Sequence, residues 1–175
     1  MVISNVRSWD RTDVVVRSMH DLVVTLLEHR TQPKAVVIDE ASTHFDARTY
    51  REEVANQWTP AAKRMAKMGV VFCGLICHSG KDLHPEAKRL TNLAYWKHSK
   101  QEASWFEEWQ GDADYPRSPL FPGVVERLEI YFGTYDPDEP ATWSWDLRPG
   151  LFEEYSEWPN LLDHLNRVGR QETPA

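Results

Sequence analysis

The chain has 175 residues, 41% hydrophobic and 27% charged, with Gly and Pro together contributing 19. This suits a single domain with a real core and excludes collagen-like, disordered and low-complexity classes. The net charge of −7 is unevenly spread: residues 1–100 carry 15 Lys/Arg against 11 Asp/Glu, and residues 101–175 carry 5 against 16. The first part is suited to face phosphates, and the second repels nucleic acid.

The longest apolar runs, Val70 to Cys73 and Leu75 to Cys77 around Gly74, fall far short of the roughly 20 residues of a membrane helix. No membrane span is expected. The N-terminus has no basic region followed by an apolar stretch, so secretion is not expected either. Cys73 and Cys77 lie four apart in one apolar segment, a spacing that predicts reduced, buried thiols. Thirteen of the 20 aromatic residues follow residue 100, and residues 110–122 hold three prolines without hydrophobic period. The expected organisation is an α/β core over 1–109, a linker over 110–122, and an acidic, aromatic-rich hairpin and helix over 123–175.

In chain order, Val2 to Val6 is a β-branched run that predicts a strand. Asp13 is placed to cap a helix from Val14, with Val15, Val16, Met19, Leu22, Val23, Leu26 and Leu27 at three- and four-residue spacing. Ala35 to Ile38 is a continuous apolar run ending in Asp39-Glu40, the pattern of a buried parallel strand. Thr49 and Glu52 match a capping box for a helix to about Gln57, and Thr59-Pro60 matches the start of another that Gly69 ends. Val70 to Cys77 is a second buried strand, and a helix around Pro85 leads to a third at Leu93 to Trp96. Strands separated by helices predict a three-layer, mostly parallel α/β sheet. Beyond the linker the period changes to two. Leu128, Ile130 and Phe132, then Trp143, Trp145 and Leu147, flank the turn sequence Asp136-Pro137-Asp138-Glu139-Pro140 and predict a β-hairpin.

The segment richest in chemistry is Ala35-Val36-Val37-Ile38-Asp39-Glu40. In open parallel sheets ligands gather beyond the carboxyl ends of the strands. Two acids there have the division of labour that phosphoryl transfer uses: one holds a magnesium water shell and the next orients or deprotonates the attacking water. Four apolar residues and then Asp-Glu form the Walker B pattern. The following strand ends in His78-Ser79, where a polar sensor of the γ-phosphate belongs. Gly74 to Lys81 only mimics a Walker A loop, because five residues separate Gly74 from Gly80 and Asp82 stands where Ser or Thr is required.

Residues 35–42 together with 76–85 resemble the Walker B and following-strand segments of P-loop ATPases of the FtsK/HerA type, with the nearest likeness to ATPases of haloarchaeal plasmids and pleomorphic archaeal viruses. The resemblance covers residues 1–100. It implies ATP and Mg²⁺ as cofactors, DNA or genome handling, a homo-oligomer or ring, and a location in the cytoplasm or virion interior. It puts Asp39 on the magnesium-linked acid, Glu40 on the catalytic acid and His78 or Ser79 on the sensor. The chain departs from the family in having no Gly-x-x-x-x-Gly-Lys-[Ser/Thr], so ATP binding by this chain alone is expected to be weak or absent. With no Walker A strand beside it, the Val70 to Cys77 strand is expected to recruit Val2 to Val6 or another chain along its open edge.

Asp39, Glu40, His44 and Asp46 are also a candidate metal cluster of a nuclease, weighed against helix capping. Arg48, Arg51, Lys63, Arg64 and Lys67 form a basic helical pair that could meet a DNA backbone, weighed against a solvated face. Trp105, Phe106 and Trp109 flank acids and point to packing or a protein partner. The alternative to an ATPase is a non-catalytic interaction or virion-associated module on an ATPase-like scaffold.

Overall fold

The computed structural model describes residues 1–78, 80–81, 83–97, 99, 102–106, 121–124 and 133–152. Four strands, β1 (Val2–Ser4), β2 (Val14–Val15), β3 (Lys34–Ile38) and β4 (Val70–Leu75), make one sheet in the order β2-β1-β3-β4. Each neighbouring pair is parallel, so the α/β class expected from the alternation of strands and helices holds. Ile3, Val36 and Ile38 are fully buried in the core.

The helix α1 (Met19–Glu28) turns Met19, Leu22, Val23, Leu26 and Leu27 into the core, the expected stripe. It starts five residues later than expected. Asp13 cannot cap it, because its carboxylate accepts the Val2 N–H at 2.7 Å and its own N–H donates to the Val2 carbonyl at 2.9 Å. That pairing places Val14–Val15 in the sheet, and Ser18 caps α1 by accepting the Asp21 N–H at 3.0 Å.

The helical segment after β3 also differs from expectation. The helix α3 (Arg51–Glu53), which follows the short α2 (Ala41–His44), continues through a π turn at Val54–Trp58 into α4 (Thr59–Ala62). Thr59 is therefore inside a helix and not its cap. Pro60 has no N–H to give, and the widened turn before it passes the chain through, with the Thr59 hydroxyl donating to the Val54 carbonyl at 3.2 Å. The Thr49 hydroxyl donates instead to Asp46.

Leu93 to Trp96 does not join the parallel sheet. Instead β5 (Ala94–Lys97), β6 (Glu102–Phe106) and β7 (Phe121–Val124) form a separate antiparallel sheet. Burial explains it: Ala94 is buried while Tyr95 and Lys97 are exposed, so this strand lacks two covered faces. Nor does Val2 to Val6 fill the edge beside β4. It pairs with β3 on the opposite side, and among the described strands β4 pairs with β3 alone. Among the described residues no helix is long and apolar enough to cross a membrane. Cys73 and Cys77 are unbridged, but Cys73 is exposed and Cys77 only half-buried, contrary to the expected buried thiols. Val71, Phe72 and Ile76 are exposed as well, so this apolar run is not the fully buried strand expected from it.

Lys34 is 1% exposed at the start of β3. Its ammonium donates to the carbonyls of His29, Gln32 (2.7 Å) and Met68 (2.8 Å), capping two chain segments that enter the sheet. Burial pushes its pKa down to about 8, and the three carbonyls favour its charged form. Gly69, at φ +80°, closes the same knot: a Cβ there would lie 2.5 Å from the Gln32 carbonyl and 2.8 Å from the Lys34 ammonium. Gly69→Ala should therefore cost more than about 2 kcal/mol, combining left-handed backbone with contact against fixed carbonyls. A urea midpoint that falls at unchanged slope is the expected result, and an unchanged midpoint would refute it.

Candidate functional site

The strand order creates a crevice. After β1 the chain leaves toward β2 on one side, whereas β3 lies on the other, so the loops following β1 and β3 diverge at their carboxyl ends. Asn5, 4% exposed, joins the two tips. Its Oδ1 accepts the Asp39 N–H at 2.8 Å and its Nδ2 donates to the Asp39 carbonyl at 3.1 Å. Asp39 Oδ1 then accepts the Glu40 N–H at 2.7 Å.

Glu40 sits at φ 54°, ψ 34°, the one described non-glycine residue with positive φ. This left-handed corner turns the chain into α2. The Glu40 carbonyl accepts the N–H groups of Thr43 and His44, and the Ala41 N–H donates to the Ile76 carbonyl at 2.7 Å. Because the Ile76 N–H donates to the Ile38 carbonyl at 2.8 Å, the exit of β4 runs beside the Asp39-Glu40 corner. Exposed His78 lies two residues further on. Ser79, the other expected sensor, lies outside the described residues.

His44 ends α2. Burial lowers its pKa, while a hydrogen bond to the Ala141 carbonyl and the charges of Glu40 and Asp39 raise it. Its Nε2 is 2.9 Å from that carbonyl, which only accepts, so Nε2 carries the proton. The expected four-residue metal cluster does not form: no group of three His, Cys, Asp or Glu among the described residues could hold a metal ion. Asp46 is taken up by its own turn. It accepts the N–H groups of Arg48 and Thr49 and the Arg48 guanidinium at 3.0 Å. Of the basic residues 48, 51, 63, 64 and 67, all are exposed. Arg64 donates to the Pro60 carbonyl and lies 4.9 Å over the Phe152 ring.

A feature with no sequence signal is the path of residues 133–152, which lie across this end of the sheet. The Asp10 N–H donates to the Thr134 carbonyl at 3.1 Å, and the Asp136 N–H to the Ser8 hydroxyl at 2.9 Å. The Ser8 N–H donates to Glu139 Oε2 at 2.7 Å. Past the Ala141 contact to His44, Trp145 donates its indole N–H to the His44 carbonyl at 3.0 Å and packs edge-on against Phe45 with centroids 5.0 Å apart. Ser144 makes a parallel bridge to Ser18. The expected hairpin arm at 142–147 is not a strand: apart from this bridge it is irregular chain packed on the α/β core, and its 128–132 partner lies outside the described residues.

Two predictions test this geometry. Glu40→Gly should stabilise the protein by about 1 kcal/mol in denaturant, since a side chain in left-handed backbone costs about that much; a loss of stability would mean that the corner is unstrained. For Asp46, hydrogen bonding from Arg48 holds the carboxyl at about 2, below its ordinary 3.8. Its contribution to stability is complete above pH 4 and is lost as pH falls through 2. Asp46→Asn should therefore flatten the pH dependence of unfolding between pH 4 and 2, and equal slopes for both proteins would contradict this.

No family model matches the chain, and no curated protein or solved structure is found similar to it, so the chemistry of the site has to be read from the residues themselves.

Proposed function

We propose that this chain is the acid-bearing part of a phosphoryl-transfer site: the C-terminal part or a degenerate form of a P-loop ATPase of the FtsK/HerA type, acting in DNA, plasmid or viral genome handling. The observation that carries this reading is the position of Asp39 and Glu40 at the carboxyl end of β3, beside a parallel β4 whose exit leads to His78. In this role Asp39, with Oδ1 bound to the Glu40 N–H, offers Oδ2 to a magnesium water shell. Magnesium when bound supplies charge neutralisation at the phosphates. Glu40 orients or deprotonates the attacking water, and His78 or Ser79 senses the phosphate. The phosphate grip is not in this sequence, which has no Gly-x-x-x-x-Gly-Lys-[Ser/Thr]. It would come from another segment or subunit, as in a ring, with the exposed basic face of Lys63 and Lys67 available to DNA.

A second reading, a non-catalytic interaction module, is favoured by one observation: the acidic 133–141 segment lies over the loops where a substrate would enter.

Paramagnetic Mn²⁺ with ATP distinguishes them. It should broaden the amide resonances around residues 38–41, and Asp39→Asn should remove the effect. Glu40→Gln should keep the broadening and lower Mg²⁺-dependent ATP turnover, in the assembled protein, by on the order of 100-fold or more. Broadening that survives Asp39→Asn, or that never appears at residues 38–41, would leave the interaction module as the better reading.

A further inference from the structure

Three large apolar side chains stand exposed along one strand and its exit: Val71 at 69%, Phe72 at 54% and Ile76 at 52%. The run from Met68 to Cys77 holds neither a charged residue nor a proline. Edge strands usually carry such residues, because an uncharged, exposed edge is a template for another strand.

The free edge of β4 can be assigned residue by residue. The Ile76 N–H donates to the Ile38 carbonyl at 2.8 Å and its carbonyl accepts the Ala41 N–H at 2.7 Å, so residue 76 turns both backbone groups toward the β3 side. Successive residues of a strand alternate in this respect. Cys73 and Leu75 therefore turn their N–H and carbonyl groups the other way, where no described strand meets them. Val71 is the extra residue of a bulge, since Lys34 pairs with Val70 and Ala35 with Phe72. The regular stretch of this edge is thus 72–76, with Gly74 at its centre.

We propose that this edge pairs with the same edge of a second copy of the chain, antiparallel and about a two-fold axis at Gly74. Cys73 of each copy then exchanges N–H to carbonyl hydrogen bonds with Leu75 of the partner subunit. Phe72 of each copy lies directly opposite Ile76 of the partner subunit, an aromatic and a β-branched side chain on one face. Charge selects this occupant. The net charge of −7 disfavours self-association in general, whereas a two-fold contact sets each patch against its own image, and this uncharged patch meets no like charge. The contact also closes, because the opposite edge of the sheet is the two-residue β2, too short to receive a further strand. Three side chains and a short backbone edge fall below the roughly 800 Å² per partner of a standard interface, which sets the dimer in the micromolar range. The contact uses neither Asp39 nor Glu40, so it stands or falls apart from the proposed function.

The test is sedimentation of the full chain from about 1 to 200 µM, a range that brackets micromolar affinity, with amide hydrogen exchange followed by NMR at both ends of it. A reversible monomer–dimer equilibrium is expected. The Cys73 and Leu75 amides should exchange more slowly at high concentration, while the Gly74 amide, which faces β3, is protected at both. Phe72→Lys and Ile76→Glu should each weaken the dimer at least about tenfold, since each buries an unpaired charge. The two substitutions together in one chain should restore most of the affinity, because the register sets each lysine against a glutamate of the other copy. Tyr135→Lys, at an exposed residue away from the sheet, should dimerise as the native chain does. A native chain that stays monomeric at the top of the range, assemblies larger than a dimer, single variants with native affinity, or a double variant that does not recover would each overturn the proposal. Protection of Cys73 and Leu75 that is independent of concentration overturns it as well, because the edge is then filled by the same chain. If the single variants fail to fold, hydrogen exchange of the native chain still decides.

Discussion

Asn5 gives both ends of its side-chain amide to one residue, accepting the N–H and donating to the carbonyl of Asp39. Much of the carboxyl end of the sheet depends on this pairing. It fixes the tips of β1 and β3 in register, and that sets where Asp39 ends the strand and where Glu40 must take its left-handed turn. The turn then directs α2 so that Phe45 enters the core, where it meets Trp58 edge-on at 4.8 Å and Trp145 at 5.0 Å. Removing the amide would leave two partly buried backbone groups without partners, at a cost of about 1 kcal/mol for each. The strained corner persists because both sides of it are held.

The charge asymmetry of the sequence has a local counterpart in the fold. The acidic second part does not stand off as a separate appendage at residues 133–152; it lies along loops that carry Arg7 and Arg17. Trp143, Trp145 and Leu147 supply the apolar anchorage that such a crossing needs, because exposed ion pairs alone contribute little.

Several features could be read from the sequence for clear physical reasons. The α1 stripe, the continuous apolar run of β3, and Gly69 each express a strong local requirement. The apolar run of β4 marked a strand but misled on burial, since Val71, Phe72 and Cys73 are exposed. The start of α1 misled because Val14, Val15 and Val16 extend the helical period, while the hydrogen bonds of Asp13 to Val2 are non-local. The alternation at 142–147 was correctly legible: Trp143, Trp145 and Leu147 are half-buried, and Thr142, Ser144 and Asp146 are exposed. What the pattern cannot carry is the identity of the surface that buries them, which is the α/β core. At the site, Asp39 and Glu40 stood out through their position after an apolar run. Asn5 and Ser8 carried no such signal, since a single Asn or Ser after a strand is what any loop contains.

The long sequence separation of the contacts made by residues 133–141 also bears on how the protein is made. Ser8 and Glu139 are 131 residues apart, Asp10 and Thr134 are 124 apart, and His44 and Ala141 are 97 apart. During synthesis at about 5–20 residues per second, the loop after β1 leaves the ribosome on the order of ten seconds before the segment that crosses it. Local elements such as α1 form far faster than that. The nascent protein therefore passes through an interval in which Asn5, Ser8 and the Asp39-Glu40 corner face solvent uncovered.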